Sequence, residues 1–237
     1  MTAAAFKQQD PEADLADLMA SLANRPRAFV DIAYEWGEGD LAGRQIEPWQ
    51  DKALAAIEEG LQRGDEVVRI AVSSGHGIGK SAFISWICDW GMSTAVDTRG
   101  IVTANTGAQL KTKTWPTLAE WRRRSITAEW FDVQATAMIA RDPARELTWR
   151  LDAVTWAEGR TEAFAGLHNR GRRILIVFDE ASGIPSKIWE VTRGALTDAD
   201  TQIVWVVCGN PTVTTGAFID VTHGRKSVGW NRQIVDS

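Results

Sequence analysis

Positive charge is in short supply in this chain. Its 26 lysines and arginines are outnumbered by 31 aspartates and glutamates, for a net charge of −5. No global basic field therefore marks a polyanionic partner, and any such contact must come from a local patch or from several subunits presenting one face. Cysteine is nearly absent: Cys88 and Cys208 sit in apolar contexts without metal-ligand spacing, which predicts buried free thiols in a reducing cytoplasm. The three histidines, His76, His168 and His223, have no partner at zinc spacing. Carboxylates show no cluster suited to a two-metal nuclease, and Asp220 and Asp236 stand isolated. No apolar run approaches the roughly 18 residues of a membrane span, and the N-terminus lacks a basic-then-apolar leader.

What is present is ordinary for a globular protein. The 237 residues, 44% hydrophobic and 24% charged, suffice for one α/β domain or a domain with a small arm. Twelve tryptophans are many for this length and are expected mostly in the core.

Val67–Ser81 (VVRIAVSSGHGIGKS) organises the rest. Val67, Val68, Ile70, Ala71 and Val72 read as a strand buried on both faces. Gly75, His76, Gly77, Ile78 and Gly79 then form a turn whose backbone N–H groups face an anion, with the glycines supplying its flexibility. Lys80 is placed to reach terminal phosphates and Ser81 to ligate Mg²⁺, at the start of a helix whose dipole favours the same phosphates. Ser74 stands where the G-x-x-x-x-G-K-[ST] pattern has its first glycine. The competing reading is a glycine-rich turn with an exposed lysine.

Upstream, Leu15, Leu18, Met19 and Leu22 recur at helical spacing in a polar, alanine-rich N-terminal segment, an arm over 1–27 that packs on its own domain or on a neighbouring subunit. Arg27–Trp36 reads as a helix, and Pro48 opens another through Gln62. Gln50, in its first turn, carries the donor and acceptor needed to read the N6 and N7 edge of adenine, or is a surface glutamine. Downstream, Thr98–Thr106 reads as a strand and Gln109–Arg123 as a helix kinked or broken at Pro116. Arg122, Arg123 and Arg124 are either a phosphate-backbone or inter-subunit contact or a solvated helix end. Phe131–Thr136 and Glu146–Ala157 look like short strands, and Arg160–Asn169 like a loop.

Ile174–Glu180 (ILIVFDE) is a buried strand that delivers two carboxylates to the ligand-binding edge of a parallel sheet. Asp179 is placed to hold Mg²⁺ with Ser81, and Glu180 to polarise an attacking water. Ile203–Cys208 is a further strand ending in Gly209–Thr212, where Asn210 or Thr212 would hydrogen-bond the γ-phosphate or the water and report hydrolysis. Arg170 precedes the ILIVFDE strand at the edge opposite its carboxylates. It would suit a neighbour's site in a ring as an arginine finger, with Arg160, Arg172, Arg173 and Arg193 competing. The chain stops soon after another apparent strand.

The series PWQ (48–50), SSGHGIGKS (73–81), TANT (103–106), FAGLH (164–168), IVFDEAS (176–182) and GNPT (209–212) resembles the ATPase domain of the large terminase subunit of tailed bacteriophages, from about Ala28 to the C-terminus. The resemblance implies a P-loop α/β fold of the additional-strand, catalytic-glutamate type, with a mostly parallel sheet flanked by helices. It implies an ATP-driven, Mg²⁺-dependent motor that moves double-stranded DNA into a preformed capsid in the host cytoplasm. Gln50 would match the family's adenine-reading glutamine, Lys80 and Ser81 its Walker A pair, Asp179 and Glu180 its Walker B pair, and Asn210–Thr212 its coupling motif. A ring, commonly of five subunits on a portal protein, and a small terminase subunit are implied as partners. The family's C-terminal nuclease would be missing from 28–237, so no DNA cleavage is expected of this chain. Two alternatives stay open: a helicase-like ATPase core, which would need a second domain, and a nucleotide-gated assembly module without turnover.

Overall fold

This computed structural model describes residues 10–156, 162–224 and 227–236. Its strands are β1 (Val67–Ser74), β2 (Arg99–Ala104), β3 (Phe131–Val133), β4 (Ala137–Ala140), β5 (Arg150–Ala153), β6 (Arg173–Asp179), β7 (Gln202–Gly209) and β8 (Asn231–Val235). They form one sheet in the order β3-β4-β5-β2-β6-β7-β1-β8. Pairing is parallel from β5 through β8 and antiparallel along β3-β4-β5. The expected α/β fold with a mostly parallel sheet is the fold observed.

The centre of the sheet follows from composition. Every residue of β6 is buried, as a parallel strand covered on both faces requires. Leu175 and Val177 join one core with Val204, Val206, Val68 and Val72, while Ile174, Ile176 and Phe178 join the other with Ile203, Trp205 and Val207. Over the first face lie α1 (Pro11–Ser21), α2 (Pro26–Ala33), α3 (Pro48–Arg63) and α4 (Lys80–Ser93). Over the second lie α7 (Glu162–Ala165), α8 (Ser186–Ala195) and α9 (Ala217–Thr222). Tryptophan fills both layers, with Trp86 and Trp90 on one side and Trp189 and Trp205 on the other, all nearly inaccessible. Each such burial contributes on the order of 1.5–3 kcal/mol. Cys88 and Cys208 are buried free thiols, and burial pushes both well above the ordinary thiol range.

The N-terminal helix packs on its own domain. Met19 and Leu22 enter the core, the Leu22 carbonyl accepts from Trp90 Nε1 at 3.1 Å, and the Ala23 carbonyl accepts from Arg173. The polar start before Asp10 lies outside the described residues.

Two expectations change and one is met. The helix read over Gln109–Arg123 is interrupted just before Pro116: α5 (Gly107–Gln109) gives way to one wide π turn, Leu110–Thr114, and α6 (Trp115–Arg123) then starts with Pro116 in its first turn. Proline lacks an N–H and crowds the carbonyl four residues back, and a wider turn just upstream accommodates both. The strand read over Glu146–Ala157 shrinks to β5, because Asp97 draws the preceding turn back through Arg145 and Thr148. The unforeseen β4 pairs with β5. A short helix, α7, also forms within the segment read as a loop. Among the described residues, no helix is long and apolar enough to cross a membrane.

Candidate nucleotide and metal site

The turn between β1 and α4 separates two clefts. Gly77 and Gly79 take the left-handed φ values (+80° and +88°) that bend the chain back into the helix. Gly75 does not, so the flexibility expected of it lies in the next two glycines. A Cβ on Gly79 would also stand 2.8 Å from Gln50 Nε2. Lys80 is buried and donates to Ser74 Oγ (3.1 Å), to the Ser74 carbonyl (3.4 Å) and to the Gly75 carbonyl. Ser74, the departure from the glycine pattern, thus serves as an acceptor for the lysine.

On one side a cleft of about 300 Å³ is lined by Ser81, Asp179, Glu180, Asn210 and Thr212, together with His76. These are the residues that the sequence spread over more than half the chain. β6 lies between β2 and β7, and β7 beside β1, so their C-terminal ends share one edge. Asp179 is buried and accepts from Thr114 Oγ1 at 2.6 Å and from the Glu180 N–H at 2.9 Å. Burial raises its carboxyl above the ordinary range, partly opposed by the Thr114 hydrogen bond. Glu180 adopts φ +46°, ψ +47°, a conformation that costs a side-chain-bearing residue on the order of 1–3 kcal/mol. That turn breaks the strand's direction and brings Glu180 to the cleft wall.

On the other side a larger cleft of about 930 Å³ runs past Gln50, Gly77, Ile78 and Gly79 to Trp36, Trp49, Trp86 and Trp121. Gln50 is buried: its Oε1 accepts from the Glu47 N–H (2.8 Å), closing a capping box, and its Nε2 donates to the Gly79 carbonyl (3.1 Å). Trp49 Nε1 adds a bond to the Ile78 carbonyl (3.1 Å). The alternative reading of Gln50 as a surface glutamine fails: it is buried and serves as a strut between α3 and the loop.

The arginines separate sharply. Arg170 is exposed in the turn before β6, about 20 Å of strand away from Asp179. Arg173 is buried over Trp90 and donates to Gln202 and Thr94, so it is no arginine finger. Arg172 faces Asp97, Arg193 lies over Trp189, and Arg160 is outside the described residues. In the basic run, Arg122 is buried against Asp89 and Arg124 pairs with Asp40 and Glu120, which leaves Arg123 exposed.

Sequence reasoning missed Thr114 and its neighbours Asn105, Gln109 and Lys113, which line the 300 Å³ cleft. A signal existed: Gln109 and Lys113 lie four apart on the helix that follows β2. The pairing of Ala104 with Asp179, which brings that helix to the carboxylates, is a tertiary fact.

No protein-family model matches the chain. Its sequence is 28% identical over 198 residues to a probable large terminase subunit of Enterobacteria phage P7, covering 80% of this chain and 37% of that protein. The HK97 bacteriophage large terminase has a similar structure (TM-score 0.62, 14% identity), over 90% of this chain and 43% of that one. The large terminase ATPase domain of Thermus phage P74-26 is also similar (TM-score 0.52, 15% identity), over 84% of each chain. The chain thus spans well under half of the curated relative and most of the isolated ATPase domain. Its sequence is similar to that of a phage large terminase subunit, and its fold is that of the large terminase ATPase domain.

Proposed function

We propose that this chain hydrolyses ATP in a Mg²⁺-dependent reaction and couples it to the movement of double-stranded DNA into a procapsid. The observation that carries the reading is the convergence of Ser81, Asp179, Glu180, Asn210 and Thr212 on one cleft beside a glycine turn that holds Lys80. In this reading the phosphates lie along the loop, with the terminal one in the smaller cleft and the base in the aromatic one. Gln50 retains one N–H and one lone pair beyond its present bonds, enough to read an adenine edge.

The residues fit a magnesium ion. A hydroxyl and a carboxylate, both hard oxygen donors, line one polar cleft, and among the described residues Asp179 has no ion-pair partner. Bound there by Ser81 and Asp179, the ion would neutralise charge on the phosphate oxygens. Glu180 orients and polarises the attacking water, Lys80 leaves its loop acceptors for the phosphates, and Asn210 and Thr212 sense the terminal phosphate. Hydrolysis then proceeds by in-line attack without a covalent intermediate.

Arg170 cannot reach its own site and would serve a neighbour's, which calls for a homo-oligomeric ring. The similarity to large terminases supports a portal protein, a small terminase subunit and double-stranded DNA as partners, and the host cytoplasm as the setting.

The test is ATP turnover across protein concentration for the wild type and Glu180→Gln. Turnover that rises faster than linearly, is stimulated by linear double-stranded DNA and is lost in Glu180→Gln is expected. ATP binding with no turnover under any of these conditions would instead favour an assembly module.

A further inference from the structure

The 300 Å³ cleft contains a cation that the proposed mechanism leaves unused. Asp179 and Glu180 place two carboxylates in its wall, and Lys80 is folded into the loop beside them. Lys113 also lines this cleft, its side chain is exposed, and it takes part in none of the ion pairs among the described residues. Its backbone is held closely. The next residue, Thr114, is buried and bonds Asp179 at 2.6 Å, Leu110 is buried in the core, and Thr112 Oγ1 bonds the Ala108 carbonyl at 2.9 Å. An anchored backbone with a free ammonium suits a site that waits for a mobile anion. Lysine binds such an anion as a point charge on a flexible stem.

Position selects which phosphate it meets. Lys113 shares its cleft with Glu180, Asn210 and Thr212, whereas Gly77 and Gly79 face the opposite cleft. We propose that Lys113 is a cis-acting ligand of the terminal phosphate, through which the chain distinguishes a nucleoside triphosphate from a diphosphate before any neighbouring subunit contributes. This rests on the nucleotide-site reading above. Charge builds on the oxygens of the transferred phosphoryl group during in-line attack, so a cation there acts in the transition state as well as in binding.

Equilibrium binding of a fluorescent, non-hydrolysable ATP analogue and of the matching ADP analogue, both with Mg²⁺, tests it on the wild type, Lys113→Met, Lys113→Arg and Lys80→Ala. Lys113→Met is expected to weaken the triphosphate analogue by about tenfold or more, as loss of a charge-assisted contact does. It should leave the diphosphate analogue unchanged, and Lys113→Arg should keep the discrimination. Equal weakening of both analogues, or of neither, overturns the proposal while leaving the nucleotide site standing. Failure of the wild type to bind either analogue, with Lys80→Ala indistinguishable from it, overturns both.

Discussion

Two buried aspartates of this protein, one in helix α4 and one at the end of strand β6, are treated in opposite ways. Asp89, near the end of α4, is fully neutralised. It accepts from Arg122 Nη1 at 2.8 Å, from Tyr34 Oη at 2.9 Å and from Ser93 Oγ at 3.1 Å. Arg122 is held in turn by Thr127 and lies 5.0 Å over the Phe131 ring. Asp179 is almost as buried but has a hydroxyl and one backbone N–H for partners, and among the described residues no ion pair. A buried charge without a close counter-charge costs stability, and Lys80 offsets this for Asp179 only from a distance. The first arrangement locks α4 to α6 and to the segment after α2. The second leaves a carboxylate under-neutralised beside Ser81, where a cation would complete it. One serves architecture, and the other keeps an unbalanced charge in the cleft proposed to bind nucleotide.

Removing Asp89 should break this contrast hardest. Asp89→Ala leaves Arg122 buried and unpaired, with an expected loss of about 3–5 kcal/mol in urea denaturation. Thr114→Val keeps the shape of the π turn but takes the hydroxyl from Asp179, and about 1–3 kcal/mol of stability should go with it. A melt unchanged by that substitution would mean that the carboxylate finds another donor.

Asp179→Asn sharpens the contrast from the other side. An amide can accept from the Glu180 N–H and donate to Thr114 while removing the buried charge, so stability should rise by on the order of 1 kcal/mol. Mg²⁺-dependent ATP turnover should fall to background in the same variant. Calorimetry and a phosphate-release assay read the two effects.

The smallest effect concerns a surface carboxylate. Asp198 accepts from His168 and from the Asn169 N–H, and the His168 hydrogen bond holds its carboxyl below the ordinary range. A depressed folded pKa contributes stability above the unfolded value, and that stability is lost as pH falls through the folded one. His168→Ala should therefore lower the melting temperature slightly at pH 7, and its difference from the wild type should shrink as pH falls below about 4.

Much of the site was legible because strand ends are legible. A buried strand must be apolar, so polar residues that terminate one, such as Asp179 and Glu180 after ILIVF or Asn210 after IVWVVC, announce an edge where a ligand meets the sheet. The glycine turn, Lys80 and Ser81 were readable for a similar local reason, since turn chemistry and helix start are properties of consecutive residues. Gln50 stood out as a candidate base-reading amide, but its burial and its two bonds were not legible, because α3 had first to be laid against the loop. The basic run Arg122–Arg124 shows the limit most clearly: three adjacent arginines have three environments, which the facing elements set.

The amino-acid order by itself thus determined that this is a P-loop α/β protein, which strands are central, and where its glycine turn lies. Those features follow from periodicity, apolar runs and turn residues within a few positions. The tertiary structure alone decided that Thr114 holds Asp179, that Lys113 shares a cleft with Glu180, and that Asp89 is satisfied while Asp179 is not. Such pairings join residues tens of positions apart, through a strand order that places β2 beside β6 and β7 beside β1. That order arises from packing the whole sheet between its two layers of helices, and no local stretch encodes it.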